Sequence, residues 1–336
     1  MNEITTVGID LAKHVFAVHA VGHDGRVVLR RTVSRSKLLQ TVAQLPRSLI
    51  GMESCSGAHE WARRSQTLGH TVRLMAPAFV SPYRKSGKND GNDAEAICEA
   101  VSRPNMRFVS IKSLEQQALL TLHRVRQGFV VERTAVVNRI RGLLAEFGVV
   151  LPQRIESVRR GVHESTAGLP DIACRAIRDL QAHLQSLDER IDSYDRELKH
   201  LAKADENARR VQTIPGIGPI TASAIVASVG SAREFRNGRQ FAAWLGLTPR
   251  QSSTGGRTRL GHISKRGDAY LRTLLILGAR SVLQNVARHA DRLSRWARTI
   301  RDRCGYHKAL VAIAAKNARI MWVVLATGES FRAQPA

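Results

Sequence analysis

Between residues 173 and 201 the chain sets Ala173, Ile177, Leu180, Leu184, Leu187, Ile191, Tyr194, Leu198 and Leu201 in steps that alternate four and three. This is a heptad seam, and it commits the segment to one long helix whose apolar stripe needs a helical partner. Charged residues fill the positions between, and no strand signal appears from about 110 to 205. A second long helix is expected over about 113–147, with proline-containing loop around 152 and 170 between the two. The partner of the seam is either that helix, in a hairpin of one chain, or a second copy through a dimerisation arm. Heptads do not specify which chain supplies it.

The stretch before this region reads differently. Residues 4–33 hold β-branched and apolar runs divided by a Gly-His-Asp-Gly turn at 22–25. There follow a helical stretch near 36–45, the apolar strand LIGME, a helix through Trp61 to Leu68 and the strand HTVRLMAP. The order β-β-β-α-β-α-β predicts an α/β layer structure. Residues from about 208 onward are expected to be helical and strongly basic. They open with TIPGIGPITASAIVASVG, where a Gly-Ile-Gly turn between apolar helical segments suggests a helix-hairpin-helix whose backbone N–H groups bind a DNA phosphate. A plain tight interhelical turn is the alternative. The expected parts are therefore an α/β domain over 1–109, a helical, coiled-coil region over 110–207 and a helical domain over 208–336.

Lys and Arg total 52 against 28 Asp and Glu, a formal charge of +24 on 336 residues. A charge of that size does not drive folding and points to a polyanionic partner, most simply nucleic acid. No run is read as approaching a membrane-spanning length and no basic amphipathic helix stands apart, so no membrane partner is expected. Cys55, Cys98, Cys174 and Cys304 lie far apart without a CxxC pair, which suggests neither zinc nor disulfides. With no visible signal peptide, the expected setting is reducing and cytoplasmic.

In so basic a chain, Asp90 and Asp93 in GKNDGNDAEAICE stand out at the start of a helix. Acids in a first turn can cap the helix and complement its dipole. Positions i and i+3 also share a face and could aim two carboxylates at one cation. Asp10, in VGIDLAK, interrupts an apolar strand, and Glu53, in LIGMESCSG, ends another. If those strands are neighbours, the two acids lie side by side where functional groups gather in α/β layers. Four carboxylates at close range repel unless cations sit among them, and two Mg2+ ions would suit phosphodiester chemistry.

The order Asp10, Glu53, Asp90, Asp93 resembles the acidic tetrad of ribonuclease-H-like, RuvC-like nucleases. VGIDLAKHVF, GMESCSGAHEWAR and KNDGNDAEAI resemble the N-terminal domain of the DEDD insertion-sequence transposases, bridge-RNA-guided recombinases. The likeness continues through IPGIGPITA and FAAWLGLTPRQSSTGGRTRLGHISKRGDAYLRTLLILGAR, so it covers nearly the whole chain. It implies a bacterial DNA recombinase, nucleoid-associated when acting, that excises and inserts an element. It implies Mg2+ (Mn2+ in its place) at the four carboxylates, donor and target DNA, a bridge RNA and a dimer or tetramer.

Residues 247–267, LTPRQSSTGGRTRLGHISKRG, set Ser252, Ser253 and Thr254 before a Gly-Gly pair, with Arg250, Arg257, Arg259, Lys265 and Arg266 nearby. Such hydroxyls are often turn formers. A hydroxyl among fixed cations is also what attack on a phosphodiester needs. The resemblance implies that a serine here forms a phosphoserine link to DNA; Ser253 is the expected nucleophile, with Thr254 and Ser252 as alternatives. Two rival functions stay open. One is a RuvC-like junction resolvase that uses water; the other is a non-enzymatic DNA-binding protein. Aromatics at 5% argue against single-strand stacking as the main binding mode.

Overall fold

The computed structural model describes residues 3–87, 89–166 and 168–333, with the backbone alone at 162–165. Lys88, inside the GKNDGND motif, lies outside the described residues. The chain divides into two compact units, Met1–Ser113 and Leu114–Ala336, where the sequence suggests three parts.

The first unit runs β1 (Ile4–Leu11), β2 (Val15–Gly22), β3 (Val27–Ser34), α1 (Leu38–Ala43), β4 (Leu49–Glu53), α2 (Ala58–Thr67), β5 (Thr71–Met75), α3 (Pro77–Val80), α4 (Asp90–Val101) and β6 (Phe108–Val109). The expected order of strands and helices is present. The six strands form one mixed sheet in the order β3-β2-β1-β4-β5-β6. β1, β2 and β3 are antiparallel neighbours, β1, β4 and β5 are parallel, and β6 closes the edge antiparallel. Alternation along the strands gives each face its own core. Val7, Ile9, Ile50 and Met52 join Phe16 and Trp61 on one side. On the other, Met75 packs with Ala96, Ile97, Ala100 and Val101 of α4. Only an apolar stripe on both faces allows a sheet to be sandwiched this way.

The second unit begins with α5 (Leu114–Ala145), α6 (Ile155–Ser165) and α7 (Asp171–Ala204). The heptad residues Ile177, Leu184 and Leu187 pack with Val136, Val137, Ile140 and Leu144 of α5. The two helices run antiparallel, with ion pairs Arg126–Asp195 and Arg133–Asp188 (3.2 Å) across the seam. This stretch of the seam is thus filled from within the chain.

The remainder is α8 (Glu206–Val211), α9 (Pro219–Val229), α10 (Gly238–Trp244), strands β7 (Pro249–Thr254) and β8 (Arg257–Ile263), then α11 (Ala269–Asn285), α12 (Arg292–Cys304) and α13 (Tyr306–Thr327). The expectation of an all-helical region is corrected here: β7 and β8 form an antiparallel ribbon. The reading that no run approaches a spanning length is corrected too. By length and composition alone α13 qualifies, with a mean hydropathy of 1.6 over 18 of its 22 residues. Its Ala309, Leu310, Ile313, Ala314, Ala318, Met321 and Val324 are buried in the core of this unit, which accounts for the apolar run.

Candidate active site

Two glycines set the geometry of the acidic site. Gly8 and Gly51 stand opposite one another on β1 and β4. A Cβ at Gly8 would lie 2.2 Å from the Ala94 carbonyl oxygen and 2.4 Å from the Cys98 nitrogen; one at Gly51 would lie 2.8 Å from Val101 Cβ. Helix α4 therefore rests on strand main chain. Successive strand side chains alternate faces, so Asp10, two residues after Gly8, shares the α4 face, as does Glu53, two after Gly51. The Cys98 thiol donates to the Thr6 carbonyl at 3.6 Å and Ala94 covers Gly8, so α4 runs against the direction of β1. Its first turn accordingly lies toward the end where Asp10 and Glu53 emerge. Four helical residues back from Ala94 to Asp90 advance about 6 Å, and two strand residues from Gly8 to Asp10 advance about the same.

The capping role expected of Asp90 and Asp93 falls to Asn89, whose side chain accepts from the Asn92 N–H at 2.8 Å. The Asn92 amide in turn donates to Ser86 Oγ at 2.7 Å and the Gly87 carbonyl at 2.8 Å, which ties the preceding loop to the helix start. Asp90 is exposed. Asp93 is 17% exposed and accepts from Arg84 Nη1 at 3.1 Å. Asp10 and Glu53 are both half-buried. Their joint field reaches the Cys55 thiol, pushed above its ordinary value by burial and then by the Asp10 and Glu53 carboxylates. Burial pushes the Cys98 thiol up to about 11, so it stays a neutral packing group under α4. An all-carboxylate set suits a hard cation such as Mg2+. Among the described residues no three His, Cys, Asp or Glu side chains are grouped to hold a metal, so the four acids share one end of the sheet without forming a closed cage.

Ser253 lies on the β7–β8 ribbon, all of whose residues are exposed except the half-buried Ile263. Gly255 (φ +56°) and Gly256 (φ +77°) make a two-residue loop, and positive φ at both positions matches the twist of a hairpin. Below the ribbon the chain is clamped. A Cβ at Gly267 would lie 2.1 Å from the Trp244 carbonyl oxygen, and Arg272 Nη1 donates to the Gly267 carbonyl at 2.6 Å. Cross-strand register pairs Ser252 with Arg259, Ser253 with Thr258 and Thr254 with Arg257. Directly paired side chains share a face. Ser252 and Thr254 thus stand with the two arginines, while Ser253 shares the other face with Gln251, whose Nε2 donates to Ser253 Oγ at 2.8 Å.

Two buried histidines carry no signal in the sequence. His19, opposite Gly8 on β2, is 3% exposed and its pKa is lowered, chiefly by burial. His123 of α5 is 1% exposed, with Tyr270 Oη at 3.0 Å from Nδ1 and Ser223 Oγ at 3.1 Å from Nε2. Burial, with Arg126 adding to it, lowers His123 to about 4. It ties α5 to α9 and α11 as a neutral ring. No spacing rule marks a lone histidine on a helix as such a tie.

Comparison with known proteins adds an independent line. A family model described as "Transposase" (DEDD_Tnp_IS110) matches residues 7–148. The model "Transposase IS116/IS110/IS902 family" matches residues 208–294. The "Probable family 20 transposase" of Pseudomonas aeruginosa is 49% identical over 334 residues, covering 98% of this chain and 99% of that protein. The "Transposase for insertion sequence element IS1111A" of Coxiella burnetii is 42% identical over 336 residues, covering 99% and 92%. The "Transposase for insertion sequence element IS1328" of Yersinia enterocolitica is 43% identical over 332 residues, covering 98% and 99%. The first model spans the mixed sheet with its acids and the second spans the ribbon with its hydroxyls, and at this identity over nearly full length the chain belongs to the IS110/IS116/IS902 family of insertion-sequence transposases.

Proposed function

We propose that this transposase cuts and rejoins DNA strands in a bacterial cytoplasm, using Asp10, Glu53, Asp90 and Asp93 to hold Mg2+, with Mn2+ able to replace it, and Ser253 as nucleophile. The observation that carries the reading is the placement of Asp10 and Glu53 on neighbouring strand ends beneath the acidic first turn of α4. A bound divalent cation would neutralise charge building on the scissile phosphate and balance the four acids. Asp10 and Glu53 orient from the sheet, and the helix start presents Asp90 and Asp93 from above. Ser253 Oγ forms a bond to phosphorus as a deoxyribose oxygen leaves. The link stores the phosphodiester energy for rejoining. Gln251, hydrogen-bonded to Ser253 Oγ, holds that side chain in place.

Further parts of the reading follow from charge and family. The +24 charge suits a complex with donor DNA, target DNA and a bridge RNA, in which base pairing reads sequence and the protein reads backbone. The Gly216–Gly218 turn before α9 acts as a helix-hairpin-helix phosphate contact, and the α5–α7 pair acts as a coiled-coil arm of a dimer or tetramer. That assembly brings the acids of one protomer to the ribbon of another. Functionally the chain keeps three parts, with divisions near 109 and 207.

A second reading has one observation in its favour: the acidic site stands on a sheet of its own, as a water-using, RuvC-like resolvase requires. Trapping of protein on DNA under cleaving conditions separates the two. Recombination predicts a covalent adduct that Asp10→Asn and Ser253→Ala each abolish. Cleavage without adduct favours hydrolysis. An adduct kept by Ser253→Ala and lost in Thr254→Ala or Ser252→Ala moves the nucleophile to the arginine face of the ribbon.

A further inference from the structure

Helix α12 lies outside both sites and carries an unusual charge pattern. Residues 288–303 hold six arginines and two aspartates. Both aspartates are engaged locally. Asp291 caps the helix, accepting from the Leu293 N–H at 2.9 Å, the Ser294 N–H at 3.1 Å and the Ser294 hydroxyl at 2.6 Å. Asp302 pairs with Arg301 at 2.9 Å. One side of the helix is anchored: Leu293 and Ala297 are buried, and Trp296 and Ile300 pack against the core of the second unit. The opposite side presents Arg292, Arg295, Thr299 and Arg303, all exposed, at i, i+3, i+7 and i+11. Arg288, four residues ahead of the helix, is exposed as well. Arginines at 292, 295, 298 and 301 recur every third residue, so each step drifts about 60° around a 3.6-residue helix. That drift places Arg298 and Arg301 on the flank, half-buried, and leaves Arg292 and Arg295 outermost.

Like charges three and four apart on a helix repel and destabilise it. A surface built this way gains most when a polyanion neutralises it. The outward stripe, Arg292 to Arg303, is about 16 Å long at 1.5 Å per residue, a length over which duplex DNA presents phosphates continuously. The one aromatic ring of the helix cannot stack on a base, since Trp296 faces the core and Lys316 Nζ sits 5.5 Å from its ring centroid. An apolar rim for a membrane surface is equally lacking on this face, where the exposed residues are arginine, threonine and Asp302.

We propose that the outward face of α12 is a sequence-independent docking surface for the phosphate backbone of duplex DNA, built from residues other than the strand-cutting ones. The inference rests on the reading above that duplex DNA is the substrate. Its test is the salt dependence of binding of the full-length chain to a non-specific fluorescent duplex. Each phosphate that the protein ceases to neutralise lowers the slope of log affinity against log salt by about 0.9, so Arg292→Gln/Arg295→Gln/Arg303→Gln is expected to flatten it by roughly 2 to 3. Arg292→Lys/Arg295→Lys/Arg303→Lys keeps the charges and should keep the slope. Arg175→Gln/Arg178→Gln/Lys199→Gln removes the same charge from the exposed side of α7 and should leave the slope nearly as in the parent. Thermal melting establishes that each variant is folded. If the α12 variant keeps the parental slope, or flattens it no more than the α7 variant does, the surface is refuted while the function stands. If the parent chain shows no salt-dependent duplex binding, the functional reading falls with it.

Discussion

A methyl group added at Gly8 would meet the carbonyl oxygen of Ala94 at 2.2 Å and the main-chain nitrogen of Cys98 at 2.4 Å. Backbone atoms cannot rotate aside as a side chain does, so Gly8→Ala must push α4 away from β1. Overpacking of this kind costs about 1–3 kcal/mol. A thermal melt should show Gly8→Ala clearly destabilised, with strand cleavage falling further than stability alone predicts because Asp90 and Asp93 move with α4. Gly128→Ala on α5 meets nothing within 4 Å and should be neutral or stabilising by about 0.5–1 kcal/mol, since alanine favours a helix interior. Equal effects from the two changes would argue against the close approach. The acids themselves are legible in the sequence as polar ends to apolar strands. The matched pattern Gly8-Ile9-Asp10 and Gly51-Met52-Glu53 is legible too, but its meaning depends on a helix that arrives some 40 residues after the second copy. The choice of hydroxyl fares differently, because the sequence sets Ser253 among cations, whereas cross-strand register gives the arginine partners to Ser252 and Thr254.

At the scale of elements, the α5–α7 pair is readable because a four-three repeat permits one structure, and only its partner has to come from the fold. The β7–β8 ribbon escapes such a reading for an opposite reason. Its strands are exposed on both faces and so lack the apolar alternation that marks a half-buried strand; the Gly-Gly loop between polar β-formers is the only signal. Tertiary polar ties such as His123, between α5, α9 and α11, leave no local trace at all. That residue yields a pH prediction. Its folded value of about 4 lies below the ordinary 6.5, so the unfolded chain takes up its proton first. Its contribution is complete above pH 6.5, declines as pH falls toward 4 and changes no further below that, for a total of about 3 kcal/mol. Urea midpoints across this range should drop for the parent chain and drop less for His123→Gln. Parallel curves for the two would remove His123 from the account.

For the whole molecule, a net +24 means that the unbound chain repels itself. Raising salt from about 0.05 to 0.5 M shortens the screening length from roughly 14 to 4 Å. The melting temperature of the free protein should therefore rise over the same interval in which its affinity for duplex DNA falls. A melting temperature that falls with added salt would mean that attractive surface pairs outweigh repulsion. Composition makes this charge plain before any fold is known, although it cannot say that Arg292, Arg295 and Arg303 line up along one exposed face of α12.

Helix α4 meets β1 without an intervening side chain at Gly8, while Val7, Ile9, Ile50 and Met52 fill the opposite side of the sheet. The gap between strand end and helix start is therefore gauged by main-chain radii, which no exchange among those four core residues can alter. An engineer seeking a hardier transposase could repack that opposite core widely without disturbing the spacing of the acids, provided the two glycines are left alone.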